Sequence, residues 1–226
     1  MRLKTIVQFG GLAAVGAAVY AKVVRPWHLK WGATEDEAKA VLPGDEFALA
    51  PTIDATHAIT IDAPPEDVWP WIAQLGQNKA GFYSYRWLEN LFGCHMPDVD
   101  HIVPEWQDIK PGDKVWLHPK VALEVAIVEP GRTLVLRRDW SFHLRQLDDG
   151  RRTRLIVRNR GYFENPNPKT GEAIPFDLGP IGNLLYWRMF FEPAHFIMER
   201  RMLLGIKERA EQLALDREAA RLIGVA

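Results

Sequence analysis

Between Ile59 and Leu91 the hydrophobic period of the chain changes twice, and this change constrains the fold more than any other feature. Ile59, Ile61 and Ala63 alternate as one face of a strand, which ends at Pro64-Pro65. Val68, Trp69, Ile72 and Leu75 then recur at helical spacing and give the next segment an apolar face. Gly76 and Gly81 break that pattern before an unusually aromatic segment, Gly81-Phe82-Tyr83-Ser84-Tyr85-Arg86-Trp87. One strand feeding two short helices is the expected start of the domain.

Further along, the period returns to two. Strands are expected over Lys114–His118, 121–128, 133–138, 140–147 and 153–163, with turns at Glu129-Pro130-Gly131 and Asp148-Asp149-Gly150. Consecutive strands with tight turns predict an antiparallel meander, curved if it is to wrap a helix. Residues 165–182, rich in Pro, Gly and Asn, read as a long connection of the kind used for lids, linkers or functional elements. A final helix is expected from about Leu184 or Phe190 to Ile223. Its inward stripe would be Phe191, Ala194, His195, Met198, Met202 and Gly205, with Glu199, Lys207, Glu208 and Glu211 largely on other faces. Pro193 either kinks this helix or occupies its first turn.

The N-terminus carries a second signal. Residues 5–21 hold no charge, and with Val23, Val24 and a snorkelling Lys22 the run reaches the length of a membrane span. A cleaved signal peptide ending near Ala21 is the alternative. Residues 1–30 are therefore expected to form an anchor, crossing the membrane once through residues 5–24, with Trp27 and Trp31 at its interface. Basic residues flank both ends, so the side holding the folded domain stays open. Gly10, Ala14 and Ala18 form a small-residue ridge that would permit homo-oligomer contact. Residues 31–54 read as a tether with a short helix from Glu35 to Val41, opened by the capping-box pattern Thr34-Glu35-Asp36-Glu37 and closed by Leu42-Pro43-Gly44-Asp45. Residues 55–226 make up the domain.

Charge narrows the partners. The first 30 residues hold five basic side chains and no acid, leaving 23 basic and 29 acidic side chains in the remainder, a balance of −6. An acidic body gives no electrostatic reason to expect nucleic acid. A single cysteine, Cys94, excludes an intramolecular disulfide.

The order of elements resembles the START-related SRPBCC superfamily, which includes polyketide cyclase/dehydrase-like and lipid-transfer domains. The residues that carry the resemblance are Ile61-Asp62-Ala63-Pro64-Pro65-Glu66-Asp67-Val68-Trp69 and the strand exit from Gly161 to Phe163, within a match running roughly from Ala55 to Leu215. The chain is most similar to bacterial members with an N-terminal hydrophobic helix and the segment Leu42 to Asp45. The resemblance implies an α+β helix-grip fold, in which a curved antiparallel sheet wraps a long C-terminal helix and two short helices follow the first strand. It also implies an N-terminal transmembrane helix, a bacterial cell-membrane location, and a cavity for an apolar or amphipathic ligand.

Candidate ligand contacts are Tyr83, Tyr85 and Trp87 in the aromatic segment, read as helical, together with Trp116 and His118 on a strand and His195 and Met198 on the final helix. Phenols join an apolar face to a hydrogen bond, and Met adapts to variable occupants. Arg158 and Arg160 share a strand face with Ile156. Facing inward they would hold a carboxylate or phosphate, and facing outward they are ordinary solvated charges. Glu89, a lone carboxylate among aromatics, would have its pKa raised by burial. No HxxH or CxxC spacing exists, so neither metal nor cofactor is expected. Ser-His-Asp order, P-loop and GxGxxG are also missing, and nothing names a reaction. The resulting expectation is a membrane-tethered binding domain for a hydrophobic or lipid-like small molecule. The alternative is a cyclase/dehydrase-like enzyme on a polyketide or aromatic substrate, with His118, Tyr85 or Glu89 as acid/base groups.

Overall fold

A computed structural model describes residues 15–48, 51, 53–91, 93–97, 99–137, 140–161 and 179–224. Six strands, β1 (Ile53–Ile61), β2 (Lys114–His118), β3 (Val121–Glu129), β4 (Thr133–Leu136), β5 (Trp140–Leu147) and β6 (Arg152–Gly161), form one curved antiparallel sheet. Their order is β1-β6-β5-β4-β3-β2. Five strands thus follow one another as a meander, and β1 closes against the last of them. Helices α1 (Arg25–Leu29) and α2 (Glu35–Lys39) precede β1, and α3 (Pro65–Ala73) and α4 (Arg86–Leu91) separate it from β2. After β6 come α5 (Gly179–Tyr186), a π-helical turn (Trp187–Phe191) and the long α6 (Glu192–Leu222). This is the α+β helix-grip arrangement, with α6 packed against one face of the sheet.

The inner face follows from strand alternation. Ile61, Leu155, Val157, Phe142 and Leu144 project from β1, β6 and β5 into one core with Met202, Leu203 and Ile206 of α6 and Val68 and Ile72 of α3. Pro65 opens α3, where its missing N–H costs nothing, and Asp67 of α3 pairs with Arg217 of α6. Gly205 lets α6 approach the aromatic segment, because a Cβ there would lie 2.4 Å from the Tyr83 carbonyl oxygen. A helix-interior glycine is otherwise unfavourable by about 1 kcal/mol relative to alanine.

Residues 31–48 cover the outer face. Thr34 and Glu37 make the reciprocal capping box that opens α2. Leu42, Ala58 and Ile156 form a second small core beneath this cover. Arg158 resolves the inward–outward alternative, since it faces outward and is nevertheless buried. It meets Asp45 at 2.7 Å, the carbonyls of Ala40, Glu37 and Ala38 at 2.7, 2.8 and 3.1 Å, and Thr56 Oγ1 at 3.2 Å. Arg160 pairs with Asp45 and Asp54 at 3.3 and 3.0 Å.

Several expectations need correcting. Among the described residues no helix is long and apolar enough to cross a membrane, which overturns the single-pass membrane location. At the end of the supposed span and just beyond it the chain is tied to α6 and its approach. Tyr20 donates its hydroxyl hydrogen bond to the Arg188 carbonyl, Arg25 forms a two-pronged pair with Glu192 at 2.8 and 2.9 Å, and His28 is buried. Residues 5–14 lie outside the described residues, as do Gly10 and Ala14 of the ridge. The short helix ends at Lys39 rather than Val41. Helical structure after the long connection begins at Gly179, earlier than the expected start, and Pro193 sits in the first turn of α6. Residues 162–178 lie outside the described residues.

Candidate active site or binding cavity

The segment after α3, the sheet, and α6 with its approach line an open-mouthed cavity of about 370 Å³. The segment from 82 to 96 contributes Phe82, Ser84, Glu89, Cys94 and Met96, while Leu117 of β2 and Trp140 of β5 supply the sheet side. Phe191 and the α6 residues Ala194, His195, Met198, Glu199 and Met202 form the remaining wall. Ser84 Oγ donates to the Met198 carbonyl at 2.9 Å and ties the segment to α6. A β-bulge between Trp116 and His118 leaves Leu117 outside the register pairs of β2.

Polar chemistry gathers where α6 meets β1, β5 and β6. The Glu199 carboxylate is buried and accepts from three side chains. Trp140 Nε1 reaches Oε1 at 3.1 Å, Asn159 Nδ2 reaches the two oxygens at 2.9 and 2.8 Å, and His57 Nδ1 reaches Oε2 at 3.1 Å. His195 Nδ1 lies 3.5 Å from Oε2, within reach of its charge but too far for a hydrogen bond. His57 Nε2 meets the His28 carbonyl oxygen at 2.7 Å. With an acceptor at each nitrogen, His57 is an imidazolium. Burial alone would lower its pKa, but Glu199 and the His28 carbonyl outweigh that and raise it. Burial would likewise raise Glu199, yet the His57 charge, with His195 and Trp140, holds it down to about 2. Glu89 has no such partners, and burial pushes its carboxyl up to about 7.

A second, more polar chamber of about 190 Å³ shares Phe82, Ser84, Glu89 and Met96 with the cavity and adds Arg86, Arg201 and Arg209. Arg201 pairs with Glu208 at 2.9 Å, and Arg209 lies 4.7 Å over the Tyr83 ring. Among the described residues no group of three or more His, Cys, Asp or Glu is placed to hold a metal ion.

Among solved structures, a Bacillus halodurans protein is similar at 16% identity over 71% of this chain and 96% of that one, with a TM-score of 0.34. A Polyketide_cyc-like protein of Corynebacterium glutamicum is similar at 17% identity over 75% of this chain and 93% of that one, with a TM-score of 0.29. Likeness at this level carries no argument, and the fold is stated from its strand order and the placement of α6. No family model matches the chain, and no curated protein matches it.

Of the seven residues singled out as ligand contacts, the structure places His195 and Met198 in the cavity wall. Tyr83 is buried with its hydroxyl donating to the Trp71 carbonyl at 3.1 Å, and its φ of 55° belongs to a turn rather than a helix. Tyr85 lies just before α4 and its carbonyl accepts from the Leu88 and Glu89 amides, while Trp87 is exposed on α4. Trp116 and His118 are half-buried and are not among the lining residues. His118 Nδ1 accepts from the Lys120 amide at 3.2 Å in the β2–β3 turn. The sequence reading sets Glu199 largely on another face and gives Trp140, His57 and Asn159 no role in the site. Two signals pointed to them. His195 and Glu199 stand four apart on one helix face, and His57 interrupts the apolar alternation of Ala55, Ile59 and Ile61.

Proposed function

We propose that the protein binds a small apolar or amphipathic molecule in the cavity between the 82–96 segment and α6. The observation that carries this reading is an apolar-walled space of about 370 Å³ with the His195–Glu199 group at its polar side. That is the room of about a dozen waters, which suits one ring system or one short chain better than a two-chain lipid. At about 25 cal/mol per Å², hiding about 200 Å² of ligand apolar surface gains about 5 kcal/mol before the cost of immobilisation. The polar side therefore decides selectivity. The cyclase-like alternative called on His118, Tyr85 and Glu89 together, and only Glu89 lines the cavity. No geometry favours it over binding.

Native mass spectrometry of the purified chain and titration with the apolar dye Nile red test the proposal. Ala194→Trp, at an exposed position of the wall, fills the space. We expect one dye per chain in the parent and an affinity at least about tenfold weaker in the variant, with an unchanged melting temperature. A parent that takes up no dye, or a variant that binds as the parent does, overturns the reading.

A further inference from the structure

We infer that the occupant of the cavity donates a hydrogen bond to His195, so that the site selects phenols and apolar alcohols over their methyl ethers. This rests on the cavity being a binding site. The argument begins with what is already used. Glu199 takes hydrogen bonds from Trp140, Asn159 and His57, and His57 spends its other nitrogen on the His28 carbonyl. Imidazolium and carboxylate cancel, and no N–H of His57 is left for a ligand.

His195 differs. Its Nδ1 faces the carboxylate at 3.5 Å, a charge contact rather than a hydrogen bond, and because a bare lone pair there would be repelled by the carboxylate, the neutral ring carries its hydrogen on Nδ1. A second imidazolium beside His57 would leave the buried cluster with a net positive charge. Burial, with the His57 charge adding to it, outweighs Glu199 and holds His195 below the ordinary histidine range. The ring is thus neutral, and its Nε2 carries a free lone pair that accepts and cannot donate. No partner occupies Nε2 among the described residues, and 33% of the side chain remains accessible. Phe191 stacks near the ring at 6.1 Å and Trp140 stands edge-on at 6.4 Å, so the imidazole is flanked by aromatic surface rather than by competing donors. Ser84, the nearby hydroxyl of the wall, already gives its proton to Met198.

A ligand hydroxyl completes this arrangement, whereas an ether oxygen would set one lone pair against another. The test is calorimetric titration of the full chain with naphthol and its methyl ether, which share one apolar body. We expect naphthol to bind about ten- to a hundredfold more tightly, and His195→Phe to remove that preference while still binding the ether. Equal binding of the two compounds to the parent chain overturns this inference and leaves the cavity proposal standing. A preference that survives in His195→Phe assigns the hydroxyl to another group and also overturns it. Binding of neither compound removes the cavity proposal and this inference together.

Discussion

The two faces of the sheet both bury charge, and they do so to different degrees of completion. On the outer face Arg158 has five N–H groups, and five acceptors from Thr56, Ala40, Asp45, Glu37 and Ala38 surround them. Nothing there is left to bind anything else, and the space beside it is closed by residues 31–48. On the inner face Glu199 is equally well supplied, but the adjoining His195 keeps one nitrogen unpaired at the edge of a cavity. A buried charge with every bond made holds the fold together. A half-buried polar group with one nitrogen unpaired, beside a space large enough for a molecule, is where a ligand belongs.

The strongest way to break this comparison is to remove the outer charge. Arg158→Ala strands three carbonyls under the α2 cover and leaves Asp45 with only Arg160 and the Leu42 amide, and loss of one partner of a buried pair costs about 3–5 kcal/mol. Urea denaturation measures it. At a temperature where the variant stays folded, its Nile red affinity should match that of the parent. A loss under about 1 kcal/mol would mean that the outer network is not structural.

Glu199→Gln gives the next largest effect, because His57 can discharge once its partner is neutral. We expect a loss of about 2–3 kcal/mol near pH 5.5. Glu199 is depressed from 4.5 to about 2, so its contribution is complete above 4.5 and disappears as pH falls toward 2. His57 is raised above 6.5, so its contribution is complete below 6.5 and fades as pH rises through the raised value. The pair is at full strength between those limits. Urea titrations of both proteins at several pH values should show the gap narrowing on either side, and a gap independent of pH would contradict the ion pair.

How much of this was legible in the sequence depends on how far apart the partners stand. The Thr34–Glu37 capping box, the strand end at Pro64-Pro65 and the alternation of β2 are written within a few residues, and all were readable. Glu199 was not, since its burial depends on His57, 142 positions away, and on Asn159 across the sheet. Arg158 was left open for the same reason, because the strand pattern says nothing of the 31–48 segment that covers it. The aromatic segment misled through local propensity, and Tyr83 instead takes a left-handed turn beneath Gly205. The apolar N-terminal run misled through composition, which carries no trace of the bond that Tyr20 makes to the Arg188 carbonyl or of the contacts that Arg25 and His28 make just beyond the run.

The smallest expected effect sharpens the contrast within the inner face itself. Glu89 and Glu199 line the same cavity, yet their carboxyls move in opposite directions, and the difference is partners. Glu89 has no side-chain hydrogen bond or ion pair among the described residues, and burial alone takes it to about 7. The folded chain therefore binds more protons than the unfolded one between 4.5 and 7, and stability falls as pH rises across that interval. Glu89→Gln removes the penalty. The full shift would correspond to about 3 kcal/mol, but the group is partly open to solvent and about 1–2 kcal/mol is the expected gain near pH 8. Melting temperatures of parent and variant should agree near pH 4.5 and diverge as pH rises, with the variant higher. Parallel curves would mean that Glu89 is solvated like an ordinary surface carboxylate.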